Sequence, residues 1–362
     1  MQKRFAHTLL KWFQQHGRHD LPWQHPRTAY RVWLSEIMLQ QTQVRVVIPY
    51  FNAFTRSFPS IPALARATED AVMHHWAGLG YYARARNLHR TAQLCVQHHA
   101  GRLPRQFDAL LALPGIGKST AGAILAQTYN IRVPILDANV KRVLCRFHGI
   151  VGYPGQSDVE KQLWDLAWQH ITDPPTQDIA NYTQALMDLG ATLCTSRQPE
   201  CTRCPLKTQC VAFQTNKVTQ LPTAKARKIL QTRTAVAVII FDLQGNILLQ
   251  RRPSSGIWGG LWTLPQAETK HALDALCLQT LYIDIHTAKS LSTIHHQFSH
   301  YRLELTIYTL QLTTPTTHVF SHSSGLAWIG AQNYATIGLP APIHKLLSDF
   351  LQRITVSDTQ HA

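Results

Sequence analysis

The sequence has no uninterrupted apolar stretch long enough to cross a bilayer, so a helical membrane span is not expected. It is also short of acid. Twenty Asp and Glu stand against 35 Lys and Arg, a net charge of +15 over 362 residues. A surface with that excess suits a polyanion, most simply nucleic acid. No internal repeat and no low-complexity tract is present. Cysteine is sparse and odd in number, seven in all. The N-terminal "MQKRFAHTLLKWFQQHG" sets Phe5, Leu9, Trp12 and Phe13 at helical spacing among polar residues, which reads as a folded helix rather than a secretory leader. A cytoplasmic chain is expected, and in it a disulfide framework is not. Metal ligation or free thiols remain.

What is present falls into two parts, as the length favours. Residues 1–213 read as helices punctuated by Pro and Gly. Residues 214–229 are polar and basic and read as a linker. Residues 230–352 mix strands and helices, with "AVAVIIF" and "ILLQRR" flanking the turn "DLQGN". In "YRLELTIY" Tyr301, Leu303, Leu305 and Ile307 alternate with polar residues, as on a half-buried strand. Helices are expected near 270–280 and 341–352, and residues 353–362 form a tail.

"LPGIGKST" (113–120) ends like a phosphate-binding P-loop, but the glycine such a loop requires falls at Ala112. The preceding "QFDALLAL" also has the spacing of a helix rather than of a buried strand. The stretch instead reads as helix, tight turn, helix. Gly115 and Gly117 permit positive φ and close approach of another backbone. The N–H groups that open the next helix, beside Lys118, suit a phosphate oxygen. Twenty residues beyond Gly117, Asp137 precedes the periodic "ANVKRVLCRF" and reads as a helix N-cap. Capping bonds are expected to lower its pKa and keep it ionised.

Cys194, Cys201, Cys204 and Cys210 form C-x6-C-x2-C-x5-C, close enough in sequence to converge on one centre. On chemistry alone, tetrahedral zinc and an iron–sulfur cluster stand level. Arg197, Arg203 and Lys207 lie between these cysteines. Cys95, Cys145 and Cys277 read as small buried hydrophobes. Glu36, in "VWLSEIMLQQTQV", lies beside an apolar run and by itself reads equally as an acid at a helix N-terminus, favoured by the helix dipole.

Taken together, "LPGIG", Pro134 and Asp137 resemble the helix-hairpin-helix DNA glycosylases over residues 1–213. "LPW…SEIMLQQTQV" and "GLGYYARARN" resemble the adenine DNA glycosylases of the MutY type, in the endonuclease III branch. The resemblance implies an α-helical helix-hairpin-helix domain carrying one [4Fe–4S] cluster on the four cysteines. An α+β Nudix (MutT-like) domain would follow. It implies excision of adenine mispaired with 8-oxoguanine or guanine in double-stranded DNA, by a monomer. Glu36 would protonate the flipped adenine, and Asp137, with Asn139, would stabilise an oxocarbenium-like sugar. Trp23, Gln24, Leu39, Ser119 and Gln184 would surround the base. Gln41, Thr42 and Tyr81 would enter the duplex, while Gly115, Gly117, Lys118 and Arg197 would hold phosphates.

Ser119 stands where related lyases carry a nucleophilic lysine, which implies a monofunctional enzyme. In "HHQFSHYRLEL", Ser299 and His300 would read 8-oxoguanine. Glu268 and Asp274 are too few carboxylates for Nudix hydrolysis. Two other functions fit parts of the pattern: an endonuclease III-like pyrimidine glycosylase/lyase, and a non-catalytic iron–sulfur DNA-binding protein.

Overall fold

The computed structural model describes residues 2–172, 178–226, 229–253, 256–313, 325–330, 333 and 337–359. Residues 227 and 228 of the expected linker, Ser254 and Ser255 of the "RRPSSG" stretch, and 360–362 of the expected tail lie outside them. The chain divides into two compact units, residues 1–66 with 87–227, and residues 67–86 with 228–362. Among the described residues no helix is long and apolar enough to cross a membrane.

The first unit is helical. Its elements are α1 (Gln2–His16), α2 (Ala29–Leu39), α3 (Val44–Ser57) and α4 (Ile61–Arg66). After the excursion into the second unit come α6 (Ala83–His98), α7 (Phe107–Leu111), α8 (Lys118–Tyr129), α9 (Ala138–His148), α10 (Ser157–Thr172), α11 (Ile179–Thr192) and α12 (Val211–Gln214). The periodic residues of α1 are buried as their spacing requires: Phe5, Leu9, Trp12 and Phe13 join Val140, Leu144 and Leu163 in one core. Each fully buried side chain of this size contributes about 1.5–3 kcal/mol.

Two ties in this core bear on the site. Asp188 on α11 is fully buried, and its Oδ1 accepts from Arg18 Nε at 2.9 Å while its Oδ2 accepts the Arg18 backbone N–H at 2.8 Å. The segment that leads to Asp137 presses on α8. A Cβ added at Gly122 would lie 2.3 Å from the Pro134 carbonyl oxygen.

The second unit is α+β. Its sheet has the order β3-β2-β1-β6-β5, made of β1 (Gln231–Phe241), β2 (Ile247–Arg251), β3 (Trp262–Thr263), β5 (Lys289–Gln297) and β6 (Tyr301–Gln311). In addition, β4 (Gln266–Ala267) pairs with β1, and β7 (Leu326–Ile329) with β2. β1 and β6 pair in parallel along their whole length, from Gln231–Tyr301 to Phe241–Gln311. Burial along β6 alternates as its sequence does: Tyr301, Leu303, Leu305 and Ile307 are buried. In the turn between β1 and β2, Asp242 Oδ1 accepts the N–H groups of Gln244 and Asn246. α13 (Lys270–Leu276), continued by a π turn over Cys277–Leu281, and α14 (Ala341–Thr359) complete the unit.

α5 (Glu69–Trp76) and the turn after it pack with this sheet unit rather than with the helices around them in sequence. Arg251 on β2 pairs with Asp70 at 3.1 Å and Glu69 at 3.6 Å, the Arg86 guanidinium donates to the Gly259 carbonyl, and Met73 lies against Gly338. These are long-range charge and shape matches, which periodicity within 67–86 does not display.

Gly122→Ala must move the Pro134 backbone or α8, and overpacking of this kind costs about 1–3 kcal/mol. The thermal midpoint of the helical unit is expected to fall by several degrees, as calorimetry on the full chain would show.

Candidate active site

Glu36 lies in the last turns of α2, whose N-cap is the Thr28 hydroxyl. Its neighbours Ser35, Ile37 and Met38 are buried, and Glu36 itself is half-buried. Gln127 of α8 donates from Nε2 to Glu36 Oε1 at 3.3 Å. Burial, and then the negative charge of Asp137, push the Glu36 carboxyl up to about 8, against a smaller downward pull from Gln127. At neutral pH it therefore keeps its proton by about ten to one.

Asp137 is the N-cap of α9, as its position predicts. Its Oδ1 accepts the Val140 N–H at 2.8 Å, and its Oδ2 accepts from Asn139 Nδ2 at 3.2 Å. The expected lowering of its pKa is corrected. Burial outweighs the capping bonds, Asn139 and the Arg142 charge, so the net shift is upward. Burial thus raises both carboxyl groups, while Asp137 keeps more groups that favour its charged form than Glu36 does.

The hairpin that precedes this site has the expected form, α7, a tight turn and α8. Gly115 has φ +77°, and a Cβ there would meet Asn87 Cβ at 2.9 Å. Gly117 is a correction to the reading of both glycines as left-handed. It caps α8 with φ −91° and ψ 174°, a conformation open to any residue. Nothing lies within 4 Å of where its Cβ would be, so the space it leaves is open to an approaching molecule. Lys118 is exposed. The Ser119 hydroxyl accepts the Leu136 N–H at 3.1 Å and so holds the segment immediately before Asp137. Lys141, the other lysine close to Asp137 in sequence, is paired with Glu160 at 2.7 Å.

Two sets of ties were not evident from sequence, one of them on the expected pocket residues Gln24 and Gln184. Gln24 and Gln184, 160 positions apart, hang on the Arg18–Asp188 pair. Gln24 Nε2 donates to the Arg18 carbonyl at 3.0 Å, and Gln184 Nε2 to Asp188 Oδ1 at 2.9 Å. Arg142 and Arg146, one turn apart on α9, hold the cysteine loop. Arg142 donates to the carbonyls of Cys194 and Gly190, both at 2.6 Å, and to Asn139 Oδ1 at 2.8 Å. The buried Arg146 donates to Thr195, Ser196 and Leu221 carbonyls and to Cys194 Sγ. Their four-residue spacing was the only signal available. Trp23 is buried edge-on to Phe51, and Leu39 is half-buried at the end of α2.

Cys194, Cys201, Cys204 and Cys210 line one cavity of about 30 Å³, with Arg146, Lys207 and Phe213 also on its wall. Among the described residues no three His, Cys, Asp or Glu side chains converge tightly enough to hold a single ion. Arg197 is exposed, and Cys95, Cys145 and Cys277 are buried.

Gln41 is exposed with φ +58°, and Thr42 beside it is half-exposed. In the second unit Tyr81 has φ +50° and is 46% exposed. Arg84 stacks over Tyr81 and Trp76 and donates to the Leu79 and Gly80 carbonyls, which fixes that turn. Ser299 and His300 form the exposed tip of the β5–β6 hairpin, closed by Phe298 N–H to the Tyr301 carbonyl at 2.9 Å. Phe298 stacks with Trp258 and His296 behind them. Asp274 is paired with Lys270, and Glu268 is exposed.

Residues 34–169 match the HhH-GPD superfamily of base excision DNA repair proteins, and residues 236–349 match the NUDIX domain. The adenine DNA glycosylase of Buchnera aphidicola subsp. Acyrthosiphon pisum (strain APS) is 38% identical over 350 residues, 97% of this chain and 98% of its own length. The human adenine DNA glycosylase is 32% identical over 94% of this chain and 73% of its own. A thermostable thymine-DNA glycosylase superposes on 59% of this chain and 97% of its own with a TM-score of 0.53 at 27% identity. With a helical repair domain, a Nudix-type domain and full-length relatives of one activity, the chain belongs to the adenine DNA glycosylases, enzymes of base excision DNA repair.

Proposed function

We propose that this glycosylase removes adenine lying opposite 8-oxoguanine or guanine, with Glu36 as general acid and Asp137 as stabilising carboxylate. The observation that carries the assignment is the unequal support of the two carboxyl groups: Glu36 is raised by burial and has only the Gln127 amide against it, while Asp137 is held by the Val140 N–H, Asn139 and the Arg142 charge. The Glu36 proton passes to N7 of the flipped adenine. The C1′–N9 bond then breaks, its electron pair leaving with the base. Asp137, held by Val140 and Asn139, faces the resulting oxocarbenium-like sugar. The Glu36 carboxylate next takes a proton from the water that attacks C1′.

Trp23, Gln24, Leu39, Ser119 and Gln184 form the base pocket in this reading. The ties of Gln24 and Gln184 to Arg18 and Asp188 support it, because they fix both amides. Gln41 and Tyr81, with Thr42, enter the duplex. Both Gln41 and Tyr81 are held exposed in the left-handed region, a strain that scaffolds retain at functional sites. The open space at Gly117, with Gly115, Lys118 and Arg197, receives phosphates. Ser299 and His300 read 8-oxoguanine from their hairpin tip. The Ser119 hydroxyl, spent on the Leu136 N–H, supports base removal without strand cleavage. Acid and stabiliser lie in one chain, which supports a monomer working on chromosomal DNA in the cytoplasm.

The four cysteines would hold a [4Fe–4S] cluster, which keeps the loop folded and its basic residues in place. They line one cavity, and their C-x6-C-x2-C-x5-C spacing, which matches the endonuclease III branch, supports the cluster over a single zinc ion. Burial and mutual repulsion push the Cys201, Cys204 and Cys210 thiols up, so a cationic centre is what would keep them as thiolates.

Single-turnover excision on duplexes carrying A opposite 8-oxoguanine, G, C and T should be fastest with the first two. Preference for a pyrimidine product would overturn the reading. Glu36→Gln should still bind the duplex while losing adenine release by at least about a hundredfold. The wild-type rate should fall about tenfold per pH unit above the Glu36 midpoint, since the acid is then ionised. Purified protein should show iron rather than zinc, with broad visible absorbance.

A further inference from the structure

We propose that Gln127 is a positioning residue for Glu36, its side-chain amide keeping one hydrogen bond to that carboxyl group in both protonation states. The proposal rests on the reading of Glu36 as acid and then base. Gln127 is 4% exposed on a helix that otherwise buries Ala121, Ala123, Ile124, Leu125 and Ala126. A long polar side chain in such a wall is unfavourable unless a partner meets it. One end has a partner, since Nε2 donates to Glu36 Oε1 at 3.3 Å. The other end does not: Gln127 Oε1 is buried without a hydrogen-bond partner.

That asymmetry matches the chemistry of the carboxyl group. An ionised Glu36 only accepts, so the amide must present its NH₂ to it. A protonated Glu36 has an O–H to donate, and the group able to receive it is the unpartnered Oε1. The two ends of the amide are almost the same size, and its terminal torsion is broad and roughly two-fold. A half-turn therefore exchanges donor for acceptor without moving the helix. With the acid engaged to Oε1, the carboxyl plane stays aimed while it awaits the base. Once the proton has gone to adenine, the half-turn offers NH₂ to the carboxylate that must activate water. The side chain thus supports both halves of the reaction without touching the substrate.

The charged groups around Glu36 leave this role to Gln127. Asp137 acts on it from the α9 N-cap, with Arg142 behind Asp137 on the same helix. The 3-10 turn Pro22–Gln24 carries no charge, Arg45 and Arg56 of α3 are exposed, and Lys118 of α8 is exposed.

The test is the pH dependence of single-turnover adenine release by the full chain, with Gln127→Met as a variant of similar length and no polar end. The bond to the carboxylate is the stronger of the two, so loss of the amide should still move the alkaline limb upward, by about one pH unit or less, the scale of the difference between a charged and a neutral hydrogen bond. The plateau rate should fall several-fold. A purely structural Gln127 would lower the plateau and leave the limb where it was, and that result overturns the proposal. Side-chain NMR of the wild type decides independently of how the variant folds. The Gln127 Nε2 resonance should titrate with the Glu36 carboxyl midpoint, and a flat Gln127 resonance across it overturns the proposal. If instead the wild type has no alkaline limb, or Glu36→Gln keeps the parent's rate, the assignment of Glu36 itself fails and this inference with it.

Discussion

Two carboxyl groups in one poorly hydrated site repel each other, and here the repulsion is resolved unequally. Asp137 has four sources of relief: the Val140 N–H, the Asn139 amide, the Asn139 backbone and the Arg142 charge. Glu36 has one, the Gln127 amide. The difference in support favours the charged form more at Asp137 than at Glu36. Glycosidic cleavage needs that inequality, since one carboxyl must give a proton while the other faces developing positive charge. Most of the surrounding helical unit holds these few donors in place. The Pro134 segment lies on Gly122, Ser119 holds Leu136, and Arg142 orients Asn139.

The α9 helix is the element on which most of this converges. Its first residue is preceded by Asp137, and its second is Asn139. Its fifth and ninth, Arg142 and Arg146, reach the backbone of the cysteine loop. Arginine suits this use because its planar fork can satisfy several carbonyls at once. The loop and the acidic end of the helix are therefore parts of one hydrogen-bonded frame. The Arg18–Asp188 pair does similar work on the other wall, tying the end of α1 to α11 and both pocket glutamines to the pair. An ion pair so buried adds little net stability, but losing one partner is costly, which makes it a strong constraint on geometry.

Gln41 and Tyr81 are held by other means. Gln41 and Tyr81 stand exposed in a backbone region that L-residues seldom occupy. For Tyr81 the strain is sustained by Arg84, which grips two carbonyls of the turn and stacks on two rings. The hairpin glycines divide their labour. Gly115 is needed for its left-handed φ and its contact with Asn87, and Gly117 for the room it leaves. In the second unit, Ser299 and His300 ride on a tight hairpin backed by an aromatic cluster.

Much was legible in the sequence because the information is local. Helix periodicity placed α1, the strict alternation in "YRLELTIY" placed β6, and the Asp137 cap followed from position alone. The distinctive strings around Glu36 and the hairpin carried the family. Contacts between distant segments were not legible. Nothing within residues 67–86 shows that they pack with the later sheet, because Arg251 and Gly338 lie far along the chain. The sign of the Asp137 shift was misread for the same reason: capping bonds follow from sequence, whereas the depth of burial that outweighs them depends on every element packed around it. Gln127 carried no signal in the sequence; its role arises only where α8 meets α2 and puts its amide on Glu36. Sequence by itself determined the residue types, their local elements and the family. Only the tertiary structure decided which groups share a site, because pKa values and hydrogen-bond partners are set by what lies nearby in space.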